Sequence, residues 1–411
     1  MKKNLILATI FFTIFLDFFN LGLIYPIFTS LVFEGNGDLI SLSSSDFYKN
    51  AIFGVLISAF PLGQFIGAPI IGQLSDQYGR RILLILSLIG TVATLLLCAL
   101  GVFYANLTVL IVGRFIGGLM SGNMTLAYAS LADFSSQEEK VKNFALIPLA
   151  TGLGFASGPY LAGMLANPDF HSLAGPTLPF LLATLLAIVN LLMILWKFPE
   201  TIQPQKNKIP LKAYSKSVLN LWKAIQLELL RPYLAILFLM ISANFVFVQF
   251  IGPFAIDRFQ ISVTEVGYLY ANIGIAVALG HLFLTRGLAN YLTPEKALMW
   301  SLLALAICLL GLFLTNGLIS LHLITFLIML ACAIAYTNSM TIVSNQATQE
   351  QQGEIMGIAV SIQSCSEFLP AILLGLVASI SQAIPITAAA IFALCSYLIL
   401  AKTKKRFLEV S

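Results

Sequence analysis

GQLSDQYGRR, residues 72–81, places an acid, two arginines, two glycines and a tyrosine between two strongly apolar stretches, residues 51–71 and 82–100. So polar a segment fits there if the chain has left an apolar environment for water and is about to return. The decapeptide therefore reads as a tight turn between two membrane-spanning helices, and the remaining sequence can be divided on the same basis.

Of the 411 residues, 59% are hydrophobic and 10% charged, with a mean hydropathy of +0.93. An average soluble domain has about 45–50% apolar and about 25% charged residues. The excess excludes a water-soluble fold of this size, because lipid must replace much of the polar surface. The net charge of +4 decides nothing by itself. Cys98, Cys308, Cys332, Cys365 and Cys395 stand singly in apolar runs without a CxxC pair, against a disulfide framework or zinc site. Lys2 and Lys3 precede an apolar stretch longer than a signal-peptide core and without an AxA-like cleavage site, so it is expected to stay as the first span.

A helix crosses the bilayer core with roughly 20 mostly apolar residues. Runs that meet this fall near residues 5–33, 50–74, 82–104, 108–132, 143–166 and 177–198, then 232–256, 265–286, 296–315, 317–342, 353–379 and 382–401. The expectation is an all-α integral membrane protein of twelve helices in two groups of six. Residues 1–199 would form one bundle, 200–230 a cytoplasmic linker and 231–411 the second bundle. With a cytoplasmic N-terminus, nineteen lysines and arginines fall on the cytoplasmic side, and only Lys49 and Arg258 fall opposite. The positive-inside rule selects that orientation, with both termini cytoplasmic. In the linker, Lys208, Lys212 and Lys216 recur every fourth residue, with Leu211, Val218, Leu219 and Trp222 on other faces. This suits a basic amphipathic helix on an anionic leaflet, the alternative being a plain basic loop.

Within the decapeptide, Gly72 is expected to permit close helix approach and Gly79 to take positive φ, while Asp76 lies near the start of span three, where the helix dipole favours an acid. Arg80 and Arg81 are expected at the lipid headgroups, and the turn could hold an inter-helix ion pair that one conformation makes and another breaks.

GQLSDQYGRR is similar to the signature loop, of form GxLaDrxGrr, of the major facilitator superfamily of secondary transporters. LDFFNLGLIYPIF (residues 16–28), GRFIGGLMSG (113–122) and GLGFASGPYLAG (152–163) extend the resemblance through spans one, four and five. Together with the six-plus-six layout they cover nearly the whole chain. The chain looks most like the drug:proton antiporters of the tetracycline-efflux branch, since the Gly158-Pro159 pair matches a signature of exporters. In the second half, LANYLTPEKALM (288–299) overlies LSDQYGRRILLI (74–85), with Asn290 in place of Asp76 and Pro294 in place of Arg80. The repeat keeps the turn and loses the acid, so any ion-pair latch is expected in the first half.

Ionisable groups within spans are costly and functional by default. Asp17 lies near mid-membrane in span one, Arg114 in span four, Glu367 in span eleven and His281 towards the cytoplasmic end of span eight. Burial favours the neutral acid and a neighbouring cation the ionised one, so a mobile Arg114 could set whether Asp17 holds a proton. The resemblance places both residues within its signatures; the bland alternative is a static pair fastening two spans. Glu367 has no basic intramembrane partner visible in its half, and either proton exchange or binding of a cationic ligand would use it. His281 fits a proton carrier or a satisfied helix-end histidine. Alignment of span eight with the tetracycline exporters puts Val277 at their coupling histidine, against tetracycline itself as the substrate.

Asn20, Gln64, Asn123, Asn244, Gln249, Asn272, Asn338 and Gln363, with Tyr128 and Tyr336, are candidate substrate contacts. Each must find a partner in a dry interior, and a neighbouring helix serves as well as a substrate. Glycines 113, 117, 118, 122, 154 and 158 form GxxxG rows suited to close, sliding helices, and Pro159 is expected to bend span five.

No Walker A, HExxH or GxSxG pattern occurs, and His171, His281 and His322 are far apart. No cofactor or metal is expected, and a membrane enzyme or non-transporting scaffold is the weaker class. The function expected is proton-coupled export of a small organic molecule by a monomer in the bacterial inner membrane. The alternative is a transporter, including an importer, of a natural metabolite such as a siderophore.

Overall fold

A computed structural model of the chain describes residues 2–35, 37–135, 143–144, 146–167, 175–201, 216–228, 230–346 and 352–410. His171, Lys208, Leu211 and Lys212, cited above, lie outside them, as do Lys140, Lys142 and Lys206 among the cytoplasmic basic residues. The elements are α1 (Lys2–Thr29), α2 (Asp46–Tyr78), α3 (Arg80–Phe103), α4 (Leu107–Leu119), α5 (Asn123–Phe134), α6 (Leu146–Ala166) and α7 (Leu178–Lys197). Then follow α8 (Lys216–Gln226), α9 (Arg231–Phe259), α10 (Val263–Leu279), α11 (Thr285–Ala289), α12 (Pro294–Gly311), α13 (Leu318–Asn345), α14 (Gln352–Val377) and α15 (Ala383–Val410). Among the described residues, eleven helical stretches are long and apolar enough to cross a membrane. The twelfth, α6, has 21 residues, and Gly152, Gly154, Ser157, Gly158 and Pro159 dilute its hydropathy.

Spans four and eight depart from the expected uninterrupted helices, each for a local reason, and span one ends in a π-helical turn, Ser30–Glu34. Span four breaks at Met120–Gly122, between α4 and α5. Ser87 of α3 reaches into the gap, donating to Met120 O (2.6 Å) and accepting from Gly122 N (3.2 Å). A neighbouring hydroxyl has thus replaced part of the hydrogen-bond ladder. Span eight contains one π-helical turn, Gly280–Leu284, closed by the Thr285 N–H on Gly280 O.

The chain forms two units, residues Met1–Lys216 with Ser262–Ile275, and residues Ser217–Ile261 with Ala276–Ser411. The core of the first gathers Ile10, Ile14, Leu84, Leu88, Leu126 and Ile194 from four spans. Its helices touch closely through glycine: a Cβ on Gly154 or Gly158 would lie 2.3 or 2.2 Å from a carbonyl oxygen of α1, and one on Gly118 would lie 2.0 Å from Phe60 O of α2. The core of the second unit joins Leu237, Met240, Leu302, Ala335, Ile358 and Leu400.

Candidate functional site

At the signature turn, Gly79 adopts φ +100°, as expected of its position between two helices. The other expectations there need correction. A Cβ on Gly72 would meet nothing within 4 Å, so this glycine marks no close helix approach. The acid at the N-terminus of α3 is Glu200, whose carboxylate accepts from the Arg80 N–H (2.8 Å) and the Arg81 N–H (3.2 Å). Two free backbone donors and the positive end of the helix dipole explain its place. Asp76 is exposed and lies 3.8 Å from Arg80. Both arginines bond to protein groups: Arg80 Nε donates to Asp133 at the end of α5 (2.6 Å), and Arg81 Nη2 to Leu195 O (2.9 Å). Thr201 Oγ1 also donates to Asp133 (2.9 Å). Arg80 thus pairs across helices with Asp133 of α5 and, at longer range, with Asp76 of α2. Glu200 and Asp133 were missed because each lies at the end of a span, where a charge is unremarkable.

Deeper in the first unit, Asp17 of α1 accepts from Asn123 Nδ2 (3.3 Å), and the same amide donates to Thr91 of α3 (3.1 Å). The break in span four makes this possible, because it starts α5 at Asn123. Arg114 lies elsewhere. Its guanidinium sits over Phe60 (4.7 Å) and Phe28 (5.6 Å), and the residue is 7% exposed. Phe28 follows Asp17 by eleven residues, roughly 16 Å along a helix. The expected Asp17–Arg114 contact is therefore absent, and ring faces hold the cation instead. Asn20 shares α1 with Asp17 and leaves Oδ1 buried without a partner. Gln64 of α2 and Tyr128 of α5 are half-buried, Tyr128 packing on the core of this unit. Asn272 belongs to the segment Ser262–Ile275 of the same unit. There Tyr270 stacks on Tyr25 (5.0 Å), and a Cβ on Gly274 would lie 2.4 Å from Ala156 N. Pro159 is seated against Gly22 of α1, where a Cβ would lie 2.8 Å from its ring, and α6 continues through it.

The second unit assembles its own polar group around Glu367, 9% exposed on α14. Gln363 Nε2 donates to Glu367 Oε1 (3.2 Å), Tyr336 O–H of α13 donates to Gln363 Oε1 (3.0 Å), and Gln249 Nε2 of α9 donates to Glu367 O (3.0 Å). His281, on the π-helical turn, shares a hydrogen bond with Thr337 Oγ1 (3.2 Å) and meets the edge of Tyr336 with ring centroids 6.4 Å apart. Gly280 lets this turn approach α13, since a Cβ there would lie 2.6 Å from Ala333 Cβ. Five sequence candidates thus come together. Asn338 instead donates to Ile334 O of its own helix (2.8 Å), and Asn244 leaves Oδ1 buried without a partner. Among the described residues, neither Asp17 nor Glu367 has a basic group at ion-pair distance, and no cluster of three His, Cys, Asp or Glu could hold a metal ion.

The sequence is 28% identical over 367 residues to the class C tetracycline resistance protein of Escherichia coli, covering 89% of this chain and 87% of that one. It is 30% identical over 358 residues to the class B protein of Escherichia coli, covering 85% and 83%. The structure resembles a D-xylose-proton symporter with a TM-score of 0.78 and 15% identity, covering 97% of each chain. Residues 10–371 match the family described as Major Facilitator Superfamily. With a family match across nearly all its spans, and tetracycline resistance proteins among its relatives, the chain belongs to the major facilitator superfamily of transporters.

Proposed function

We propose that the protein exports a small organic molecule across the bacterial inner membrane in exchange for protons, alternating between inward- and outward-facing states. The observation that carries this reading is a pair of membrane carboxyls, Asp17 and Glu367, each held by a side-chain amide and neither matched by a cation. An acid inside a span is costly, and taking up and releasing a proton is a use that offsets the cost. Similarity to tetracycline resistance proteins supports export of a drug-like compound. The fold leaves direction open, because a proton symporter shares it. The excess of lysine and arginine on one side supports cytoplasmic termini, and a monomer needs no further subunit to supply either carboxyl.

Inside-out vesicles with an acidic interior test the reading with tetracycline, a fluoroquinolone and ethidium as probes. Accumulation of a probe, abolished by a protonophore, is expected, and Asp17→Asn should lose the coupled flux while retaining probe binding. Proton-driven movement of a metabolite in the opposite direction would replace the export reading. Full coupled flux in Asp17→Asn would remove that carboxyl from the mechanism.

A further inference from the structure

Helix α8, which precedes the second set of spans, is built with its polar contacts inside. Ser217, Asn220 and Ala224 are buried. The Asn220 amide donates to Gly357 O (3.1 Å) and Ser361 Oγ (3.0 Å) of α14, and Lys223 pairs with Glu354 of the same helix. On the other side Val218, Trp222 and Ile225 are 60%, 62% and 59% exposed. Their spacing of four and then three residues puts them in one stripe along the helix. A row of three large apolar groups facing water is an unfavourable surface and marks a place that something apolar covers.

Three features identify the cover as lipid. Only four residues separate α8 from α9, whose apolar span begins at Arg231, so the stripe is continuous in sequence with a membrane crossing. Tryptophan, with an apolar ring and a polar N–H, is favoured at the boundary between headgroups and acyl chains. The helix has no acidic residue, and while Lys223 is taken up by Glu354, the sequence carries Lys206, Lys208, Lys212 and Lys216 before and at its start. We infer that α8 docks on an anionic phospholipid surface, with Val218, Trp222 and Ile225 among the upper acyl carbons and the positive charge of the lysine-rich sequence drawing it to the headgroups. This is independent of what the protein transports.

The chain has three tryptophans, and Trp196 and Trp300 are 79% and 58% exposed on apolar spans, where phenylalanine is an acceptable replacement. Full-length protein carrying Trp196→Phe and Trp300→Phe leaves Trp222 as the sole reporter. It is reconstituted into vesicles of phosphatidylcholine alone, or mixed with phosphatidylglycerol, with acyl chains brominated near the headgroup. Trp222 emission should be blue-shifted, quenched by the bromines and shielded from aqueous iodide. Quenching should deepen with phosphatidylglycerol and lose that gain in high salt, since each lysine near an anionic surface contributes roughly five-fold to partitioning. Adding Val218→Asp and Ile225→Asp should open Trp222 to iodide, and circular dichroism checks that the variant stays folded. Iodide access in both lipids overturns the inference. Shielding from both iodide and bromine also overturns it, because protein would then be the cover; quenching indifferent to headgroup charge overturns the anionic requirement.

Discussion

Gln363 connects two groups that sequence spacing alone does not join. It lies one turn before Glu367 on α14, and while its amide N–H reaches that carboxyl, its carbonyl accepts from Tyr336 on α13. A hydrogen bond to a charged group contributes about 1.5–3 kcal/mol and a neutral one about 0.5–1.5 kcal/mol. Gln363→Leu is therefore expected to lower the initial rate of pH-driven flux roughly ten-fold, and Tyr336→Phe by a smaller factor through loss of the neutral bond. Flux measured in vesicles on protein of unchanged melting temperature checks this, and wild-type rates in both variants would remove the network from transport. At this scale the sequence exposes what is anomalous. Asp17 and Glu367 stand out because ionised groups are rare in spans, but the partner of Asp17 does not. Helical spacing locates Arg114 along an axis without showing that ring faces occupy its guanidinium or that a break in the helix brings Asn123 forward.

Among the helices, most of the pattern was legible, because twenty-residue apolar runs follow directly from bilayer thickness. The break in span four was not. It depends on Ser87, more than thirty residues earlier, entering a backbone ladder, and a hydroxyl in a span carries no mark of that role. Glycine shows the same limit. Gly72 and Gly158 both belong to family-like signatures, but a Cβ on Gly158 would lie 2.2 Å from Phe19 O, whereas one on Gly72 meets open space. Gly158→Ala should force α1 and α6 apart and destabilise by about 1–3 kcal/mol, as overpacking does. Gly72→Ala, within helix α2, should be neutral or stabilise by up to about 1 kcal/mol. Thermal unfolding of the two purified variants decides the matter. Equal melting temperatures would mean that the α1–α6 contact yields without cost.

Across the whole chain, the internal repeat keeps a helix–turn–helix at both of its copies and secures them differently. The second copy is capped locally: Thr293 accepts from the Lys296 N–H at the start of α12, with Pro294 in the first turn. The first copy draws its cap from Glu200, 120 residues beyond Arg80, and its lateral tie from Asp133, 53 residues beyond. One turn thus gathers three distant parts of the first unit, and its stability reflects their joint placement. Asp133→Asn should weaken the hold on Arg80 and on Thr201 together, whereas Thr293→Ala should remove one local cap worth about 1 kcal/mol. A double-mutant cycle of Asp133→Asn with Arg80→Gln should give a coupling of about 0.5–1 kcal/mol, falling with salt because the pair is partly exposed. The cycle of Asp133→Asn with Thr293→Ala should be additive, since the two residues share no partner. If Asp133 fastens the turn in one transport state, Asp133→Asn should also alter flux, while Thr293→Ala leaves it near wild type. Additivity in the first cycle, or equal flux in both single variants, would reduce the signature turn to a connector.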